Sequence, residues 1–259
     1  MMHHLENWEK TLRGLLHGRF AAAHLFCLEE VGSTNAFLKE RAGEEPGEAI
    51  AIARSQTAGV GRRGRVFSTV PGETLHLSFL LRHLPDGYIP ISLAAGLAVQ
   101  QALFALCGTG FSLKWPNDPL ADNRKVGGIL CEVVPGGVIC GIGINLLVSA
   151  EFFTEHGLLH AASVQMVKGC APTPEVLAAA IAEKLELVLA MDARTALTAY
   201  AAHCATLGVP VRVLSGDGTV IEGIADCITP LGELVVRTST GRVTVRAGDV
   251  SVRGKNGYV

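Results

Sequence analysis

Two apolar segments joined by a short turn constrain the fold of this chain most. Gly128–Val134 and Val138–Leu147 are apolar runs of strand length, and Pro135, Gly136 and Gly137 separate them. A Pro–Gly turn between two such runs predicts a β-hairpin. A hairpin makes its two strands antiparallel, so we expect an antiparallel or mixed sheet. Three more runs have strand composition: Leu25–Leu28, Ala49–Ala53 and Phe111–Trp115.

Helices are predicted beside this sheet, which makes the fold class α+β. Ile91–Cys107 is apolar on almost every side, so it should pack against the sheet as a buried helix. Ser33 or Thr34 would cap a short helix over Asn35–Arg41. Thr173 and Pro174 begin a helical pattern that extends to about Cys204. We expect a mixed, largely antiparallel sheet with these helices on one side, and a short helix within residues 5–20.

Residues 74–82 alternate between apolar and polar side chains. Leu75, Leu77, Phe79 and Leu81 alternate with polar residues that include His76 and Ser78. A period of two indicates a strand with one buried and one exposed face. We therefore predict a half-buried strand here.

The chain changes character after Leu207. Short β-rich runs alternate with turns at residues 215–218, 229–232 and 239–241. Closely spaced short strands predict a small β-barrel or sandwich. We expect two domains, residues 1–207 and residues 208–259.

Composition excludes several classes of protein. The chain has 259 residues, 49% of them apolar, and a formal net charge of −2. A nucleic-acid binder normally carries a basic excess, which this chain lacks. Its seven cysteines are an odd number without a C-x-x-C pair, which favours a reducing compartment. There is no signal-peptide pattern at Met1–Asn7 and no apolar run of membrane-spanning length, so we expect a soluble cytoplasmic protein without membrane partners.

A glycine- and arginine-rich segment follows the predicted strand at Ala49–Ala53. Residues 59–65 contain three glycines and three arginines. Glycine gives a loop backbone freedom, and guanidinium groups bind carboxylate or phosphate oxygens in a bidentate manner. The segment predicts a loop that closes over an anion, with a basic surface turn as the alternative. It matches neither the Walker A pattern nor G-x-G-x-x-G before a helix.

Four further motifs accompany this loop in a fixed order. They are Ser33-Thr34-Asn35 before it and, after it, Lys114-Trp115-Pro116-Asn117-Asp118, Arg124-Lys125 ahead of Gly127-Gly128, and Gly141-Ile142-Gly143-Ile144-Asn145. Together with Gln56–Arg65, this set resembles the biotin protein ligases, strongly over residues 25–150. The resemblance implies a class II synthetase-like core followed by a C-terminal SH3-like barrel. It also implies an enzyme that forms biotinyl-5′-AMP from biotin and ATP with Mg²⁺, and transfers biotin to a lysine of a biotin carboxyl carrier protein.

The resemblance also implies roles for individual residues. Lys125 and Arg62 would be catalytic, because joining a carboxylate to a phosphate requires cations. Asp118 would be a candidate Mg²⁺ ligand, since hard oxygen ligands suit that ion. The implied biotin-binding residues are Ser33, Thr34, Asn35, Gln56, Gly59, Val60, Gly61, Arg62, Lys125 and Gly128. The implied nucleotide-binding residues are Arg62, Arg65, Phe67, Lys114, Trp115, Asn117, Asp118 and Asn145.

Several of these residues have simpler alternatives. Trp115 and Phe67 have the composition of core aromatics, and Ser33-Thr34 has that of a helix cap. His156 and His160 have the i, i+4 spacing of a helical metal site but no third ligand in the pattern. Val60 stands where the family usually has Arg, so the loop has one guanidinium group fewer.

Two other functions remain open at this point. The chain could be a lipoate or octanoate ligase of the same superfamily, or a biotin-binding relative with weak turnover. We do not expect a DNA-binding repressor that senses biotin, because the 32 residues before Ser33 are too few for a winged-helix domain. A homodimer is implied by the resemblance alone.

Overall fold

The computed structural model describes residues 2–215, 218–247, 250–254 and 258. Its helices are α1 (Met2–Leu15), α2 (Thr34–Arg41), α3 (Ile91–Cys107), α4 (Ala150–Glu155), α5 (Val164–Lys168), α6 (Pro174–Leu189) and α7 (Ala193–Ala202). The strands before α4 are β1 (His24–Val31), β2 (Ala49–Gln56), β3 (Thr74–Leu81), β4 (Phe111–Lys114), β5 (Asp118–Ala121), β6 (Arg124–Lys125), β7 (Gly127–Val134) and β8 (Gly137–Asn145). The strands after α7 are β9 (Pro210–Ser215), β10 (Val220–Ile228), β11 (Leu234–Thr238), β12 (Gly241–Val245) and β13 (Val250–Gly254).

The central sheet has the strand order β1-β2-β3-β8-β7. β1 and β2 run parallel, and every other neighbouring pair in this sheet is antiparallel. β7 and β8 form the predicted hairpin, with Gly136 in its turn at φ 71°. The α+β class with a mixed, largely antiparallel sheet is therefore confirmed.

The prediction that the helices lie on one side of the sheet was wrong. α3 and α6 pack together against one face, and α1 joins them there. α2 packs against β2, β3 and β8 from the other face. Leu38 of α2 is buried there among Ala49, Ala51, Leu80 and Ile139, in a second, smaller core. The small alanines of β2 let this short helix lie close to the sheet, and its sequence alone does not reveal that packing.

β3 also differs from the prediction of a half-buried strand. All eight of its residues are buried, including Thr74, His76 and Ser78. The alternation of polarity is present, but β3 is a central strand and both of its faces are covered. Its polar side chains are buried on the face that carries α2 and the cavity described below.

Two helix predictions need correction. The helical segment that begins at Pro174 ends at Leu189, and Asp192 caps a separate helix by accepting a hydrogen bond from the Thr195 backbone N–H. Ser33 and Thr173 occupy N-cap positions, yet neither side chain makes a capping hydrogen bond. The predicted helix at residues 5–20 is confirmed as α1 followed by a 3₁₀ turn at Gly18–Phe20.

The C-terminal strands form an antiparallel sheet with the order β12-β11-β10-β9-β13. Closure of this sheet into an SH3-like barrel stays a prediction, and Gly216 and Asp217 of the turn at 215–218 lie outside the described residues. The sheet is joined to the preceding part of the chain by Trp115, whose Nε1 donates to the Gly232 carbonyl at 3.0 Å. In the described part of the chain, no helix combines the length and apolar character needed to cross a membrane.

Candidate active site

A cavity of about 350 Å³ lies between the second face of the central sheet, the loop after β2 and the C-terminal residues. Residues from all five sequence motifs line it. The predicted site residues among its lining are Ser33, Thr34, Asn35, Gln56, Val60, Gly61, Arg62, Arg65, Phe67, Lys114, Trp115, Asn117, Asp118, Lys125, Gly128 and Asn145. Gly59 is the predicted site residue that is not part of the lining.

Glycines form the floor of the cavity. Gly128 pairs with Gly143 across β7 and β8. A Cβ on Gly143 would lie 2.5 Å from the Phe67 ring, and one on Gly141 would lie 2.2 Å from Asn35 Oδ1. These positions therefore need glycine, because only a bare backbone lets the ring and the amide approach the sheet this closely.

A chain of hydrogen bonds crosses one end of the cavity. Gln56 Oε1 accepts from the Thr34 backbone N–H at 2.7 Å and from the Thr34 hydroxyl at 2.9 Å. The Ser78 hydroxyl lies 2.7 Å from both Thr34 Oγ1 and Asn35 Oδ1. Gln56 Nε2 lies 3.2 Å from His76 Nδ1. This end of the cavity thus presents amide and hydroxyl groups without a formal charge.

The arginine loop is closed on itself. Val60 and Val66 form an isolated antiparallel bridge, and Gly61 N–H donates to the Arg65 carbonyl at 2.7 Å. Arg62 donates from Nη1 to Asn117 Oδ1 at 3.1 Å and from Nη2 to the Ala247 carbonyl. The loop therefore places the Arg62 guanidinium between Asn117 and the C-terminal part of the chain.

A cluster of charged groups lies near Asp118. Its Oδ1 accepts from Lys125 Nζ at 2.7 Å, and its Oδ2 accepts from the Tyr258 hydroxyl. Lys114 Nζ lies 3.4 Å from the centroid of the Tyr258 ring. This arrangement holds two ammonium groups beside one carboxylate at the edge of the cavity.

Lys114 is 4% exposed, and its burial has an electrostatic consequence. Burial lowers the pKa of Lys114 to about 7, and the nearby cations Arg253, Lys125 and Arg65 lower it further against the opposing effect of Asp118. An anion that enters this end of the cavity would stabilise the charged ammonium. The cluster is therefore arranged to receive negative charge.

Comparison with known proteins assigns the chain to a family. A model described as "Biotin/lipoate A/B protein ligase family" matches residues 27–149, and "Biotin protein ligase C terminal domain" matches residues 206–253. The biotin–[acetyl-CoA-carboxylase] ligase of Mycobacterium tuberculosis is 34% identical over 93% of this chain and 94% of its own length. The chain belongs to the biotin protein ligase family. The Paracoccus denitrificans member of this family is 33% identical over 88% of this chain and 100% of its own length.

The architecture agrees with this family. The Aquifex aeolicus biotin protein ligase in complex with biotin and ATP superposes with a TM-score of 0.75 at 28% identity. The superposition covers 90% of this chain and 99% of the Aquifex chain. The order and spacing of the five sequence motifs therefore predicted the correct family and fold.

Two predicted nucleotide-binding residues have clear structural contacts. Trp115 is 1% exposed, and its hydrogen bond to Gly232 ties the ligase motif to the C-terminal sheet, in line with its alternative as a core aromatic. Asn145 is also buried, and its Nδ2 donates to the Ala162 carbonyl at 3.2 Å. A role for either residue in binding the nucleotide stays a prediction.

The described residues contain no group of three or more His, Cys, Asp or Glu side chains that would hold a metal ion. Asp118 is a single carboxylate whose two oxygens are already bonded to Lys125 and Tyr258. This fits a Mg²⁺ ion that arrives on nucleotide phosphates better than an ion held by the protein alone. His156 Nδ1 lies 2.9 Å from the Phe152 carbonyl, and within the described residues His156 and His160 belong to no group of three potential metal ligands.

Several residues of the cavity lining are not among the site residues predicted from the sequence. His76, His160, Arg253 and Tyr258 line it as well. Polar residues at every second position of a strand were the available signal for His76, but they were read as solvent-facing. No local pattern marks Arg253 or Tyr258, because the C-terminal part of the chain reaches the site only through tertiary packing.

Proposed function

We propose that this family member is an ATP-dependent biotin–[biotin carboxyl-carrier protein] ligase. It condenses biotin with ATP to biotinyl-5′-AMP and pyrophosphate, and then transfers biotin to the ε-amine of a lysine on a carrier domain. The observation that carries this proposal is one cavity that combines an uncharged amide and hydroxyl end with a cationic end. The ureido ring of biotin requires the uncharged amide and hydroxyl end. The joined carboxylate and phosphate require the cationic end.

In the first step, a carboxylate oxygen of biotin attacks the α-phosphorus of ATP. A C–O–P mixed anhydride forms, and the bond from the α-phosphorus to the β-bridging oxygen breaks to release pyrophosphate. A Mg²⁺ ion bound with the triphosphate, with Asp118 as its candidate protein ligand, would offset part of the phosphate charge. Lys125 and Arg62 neutralise the charge that develops between the two anions, and Lys114 holds the phosphates.

In the second step, the neutral ε-amine of the acceptor lysine attacks the acyl carbon of the anhydride. An amide bond forms, AMP leaves, and the amine proton is released. Residues 59–65 cover the reactive anhydride and limit its hydrolysis by water. Phe67 and Asn145 contribute to the adenine site.

We also propose the organisation in which this activity operates. Residues 1–207 would form the catalytic domain and residues 208–259 the C-terminal domain. The expected partners are the carrier protein and a second copy of the chain, in a reducing cytoplasmic compartment that suits the seven free cysteines. Light scattering at micromolar concentration would test the homodimer, and a particle of 27.2 kDa alone would contradict it.

A lipoate or octanoate ligase is the second candidate, because one matching family model covers both kinds of enzyme. The chain of hydrogen bonds from Asn35 to His76 favours biotin. A fatty-acyl chain offers no polar atoms to such a set of buried groups, and unmatched buried polar groups cost about 1–3 kcal/mol each.

In the direct test, the protein is incubated with ATP, Mg²⁺ and biotin, and biotinyl-adenylate is detected by mass spectrometry. Parallel incubations replace biotin with octanoate or lipoate. Wild-type protein that forms no biotinyl-adenylate would contradict the proposal, and preferential octanoyl- or lipoyl-adenylate would favour the second candidate.

Lys125→Ala should lower the rate of adenylate formation by about 10²–10³-fold, because it removes a cation that stabilises the transition state. The matched control is Lys10→Ala, since Lys10 is an exposed residue on α1 away from the cavity. A Lys125→Ala protein that forms adenylate at the wild-type rate would remove Lys125 from the mechanism.

A further inference from the structure

We propose that His76 is a positioning residue that fixes the side-chain amide of Gln56, so that one Gln56 N–H group points to the ureido oxygen of biotin. This inference rests on the proposed function and adds a residue that no sequence motif includes. It depends on three steps: the orientation of Gln56, the tautomer of His76, and the hydrogen that Gln56 then has left for a ligand.

The Thr34 backbone determines how the Gln56 amide is oriented. A backbone N–H can only donate, so the atom that it contacts at 2.7 Å must be the amide oxygen of Gln56. The Thr34 hydroxyl lies 2.9 Å from the same oxygen and 2.7 Å from the Ser78 hydroxyl. The Gln56 oxygen thus faces Thr34, and the amide nitrogen lies on the other side of the group.

The orientation of Gln56 in turn determines the tautomer of His76. The amide nitrogen of Gln56 is a donor, so His76 Nδ1, at 3.2 Å, must accept. The imidazole proton then lies on Nε2. His76 is 1% exposed, and burial lowers its pKa to about 4, so the ring stays neutral and able to accept at physiological pH.

One hydrogen of the Gln56 amide is left for a ligand. The amide nitrogen carries two hydrogens, and His76 accepts one. Among the residues that the structure describes, the side-chain hydrogen bonds of Gln56 involve Thr34 and His76 only. Gln56 is half-buried and lines the cavity, so its second N–H is available to an acceptor there. The oxygen of the ureido ring is such an acceptor.

Without His76, the Gln56 amide nitrogen would lose the partner that holds it in place. The side chain would then rotate about its terminal bonds, which have broad energy wells. The expected effect is weaker binding of biotin with little change in the affinity for ATP, because the cationic end of the cavity is not involved.

The first experiment tests the hydrogen bond without a ligand. Nitrogen-15 NMR of the unliganded full-length protein reports which ring nitrogen of His76 carries the proton. A proton on Nε2 supports the proposal. A proton on Nδ1 would overturn it, whether or not the protein binds biotin.

The second experiment measures biotin affinity by calorimetry for His76→Leu and His76→Asn. Leu removes the acceptor. We expect about tenfold weaker biotin binding, because about that much affinity is lost with one hydrogen bond. Asn keeps a short acceptor and should restore affinity to within about threefold of wild type. The KM for ATP should stay at the wild-type value in both variants, which a general loosening of the fold would not produce.

A double-mutant cycle with Gln56→Ala decides whether His76 acts through Gln56. His76→Leu should have little further effect on biotin affinity in the Gln56→Ala background. Full additivity of the two changes would overturn the proposal, as would wild-type affinity in His76→Leu. Circular dichroism of each variant separates these outcomes from unfolding, and His76→Asn remains as the test if His76→Leu does not fold. A wild-type protein that binds no biotin would instead contradict the proposed function and the ligand contact together.

Discussion

Single residues set the electrostatics of this site, and His76 gives a pH dependence that can be measured. Its pKa is lowered to about 4 in the folded protein, against an ordinary value of 6.5 in an unfolded chain. Between these values the unfolded chain binds the proton and the folded protein does not. The free energy of unfolding therefore falls as the pH drops from about 6.5 to about 4.

We predict that His76 accounts for about 2 kcal/mol of stability loss between pH 7.5 and pH 5, calculated from these two pKa values. Urea denaturation of wild type and His76→Asn at both pH values measures this contribution, since all other titrating groups are common to the two proteins. If the difference in the free energy of unfolding between wild type and His76→Asn is the same at pH 7.5 and pH 5, His76 titrates normally in the folded protein.

Val60 is the residue at which the sequence motif leads us to expect an arginine in this family. It is 51% exposed and lines the cavity, so a longer side chain has room there. Val60→Arg would add a charge-assisted bidentate donor for the carboxylate or phosphate of the ligand. We predict that release of the adenylate slows about tenfold if about 1.4 kcal/mol is recovered.

Stopped-flow fluorescence, or a chase with excess biotin, would follow this release. Val60→Leu is the matched control, because it adds bulk without charge. Unchanged or faster release in Val60→Arg would show that the missing arginine has no effect on retention of the adenylate.

At the scale of elements, the loop at residues 59–66 is the segment whose order should respond to ligands. Few backbone hydrogen bonds hold it, among them Gly61 N–H to the Arg65 carbonyl and Phe67 N–H to the Gly59 carbonyl. Arg65 is exposed, so it gains a partner when an anion arrives.

We predict that biotin with ATP increases hydrogen-exchange protection across residues 59–66. The buried amide of Cys140 in β8 serves as an internal reference, since it lies in the sheet and away from the loop. Equal protection of the loop with and without biotin plus ATP would contradict the idea that the loop closes over the anhydride.

At the scale of the whole molecule, the C-terminal sheet is attached to the rest of the chain through a close contact at Gly232. Its φ is 77°, and a Cβ there would lie 2.7 Å from Pro90 Cγ and 2.8 Å from Leu93 Cδ1. Its carbonyl also accepts the hydrogen bond from Trp115. A side chain at this position should push the two parts of the molecule apart.

We predict that Gly232→Ala lowers the free energy of unfolding by about 1–3 kcal/mol more than Gly208→Ala does. Gly208 is a matched control, because its φ is 79° and a Cβ there would meet no atom within 4 Å. The backbone strain is thus common to both variants, and only the steric contact differs. Chemical denaturation measures both, and equal losses would show that the sheet accommodates the methyl group.

Much of this protein follows from local sequence. The bounds of α3, the hairpin of β7 and β8 and the mixed sheet were predicted, because apolar periodicity and Pro–Gly turns act over a few residues. The family followed from five short motifs in a fixed order. The site residues predicted from the resemblance line a common cavity, apart from Gly59.

Tertiary structure decided the remainder. The burial of β3 depends on α2 and on strands distant in the chain, so its alternating polarity was misread as exposure. More than half of the chain separates Lys114 from Tyr258 in the sequence, yet the ammonium lies 3.4 Å from the centroid of the ring. The sequence by itself determined the elements, the family and the residue types of the site. Only the fold determined which groups desolvate and pair with one another, because burial and contact depend on neighbours that no local pattern specifies.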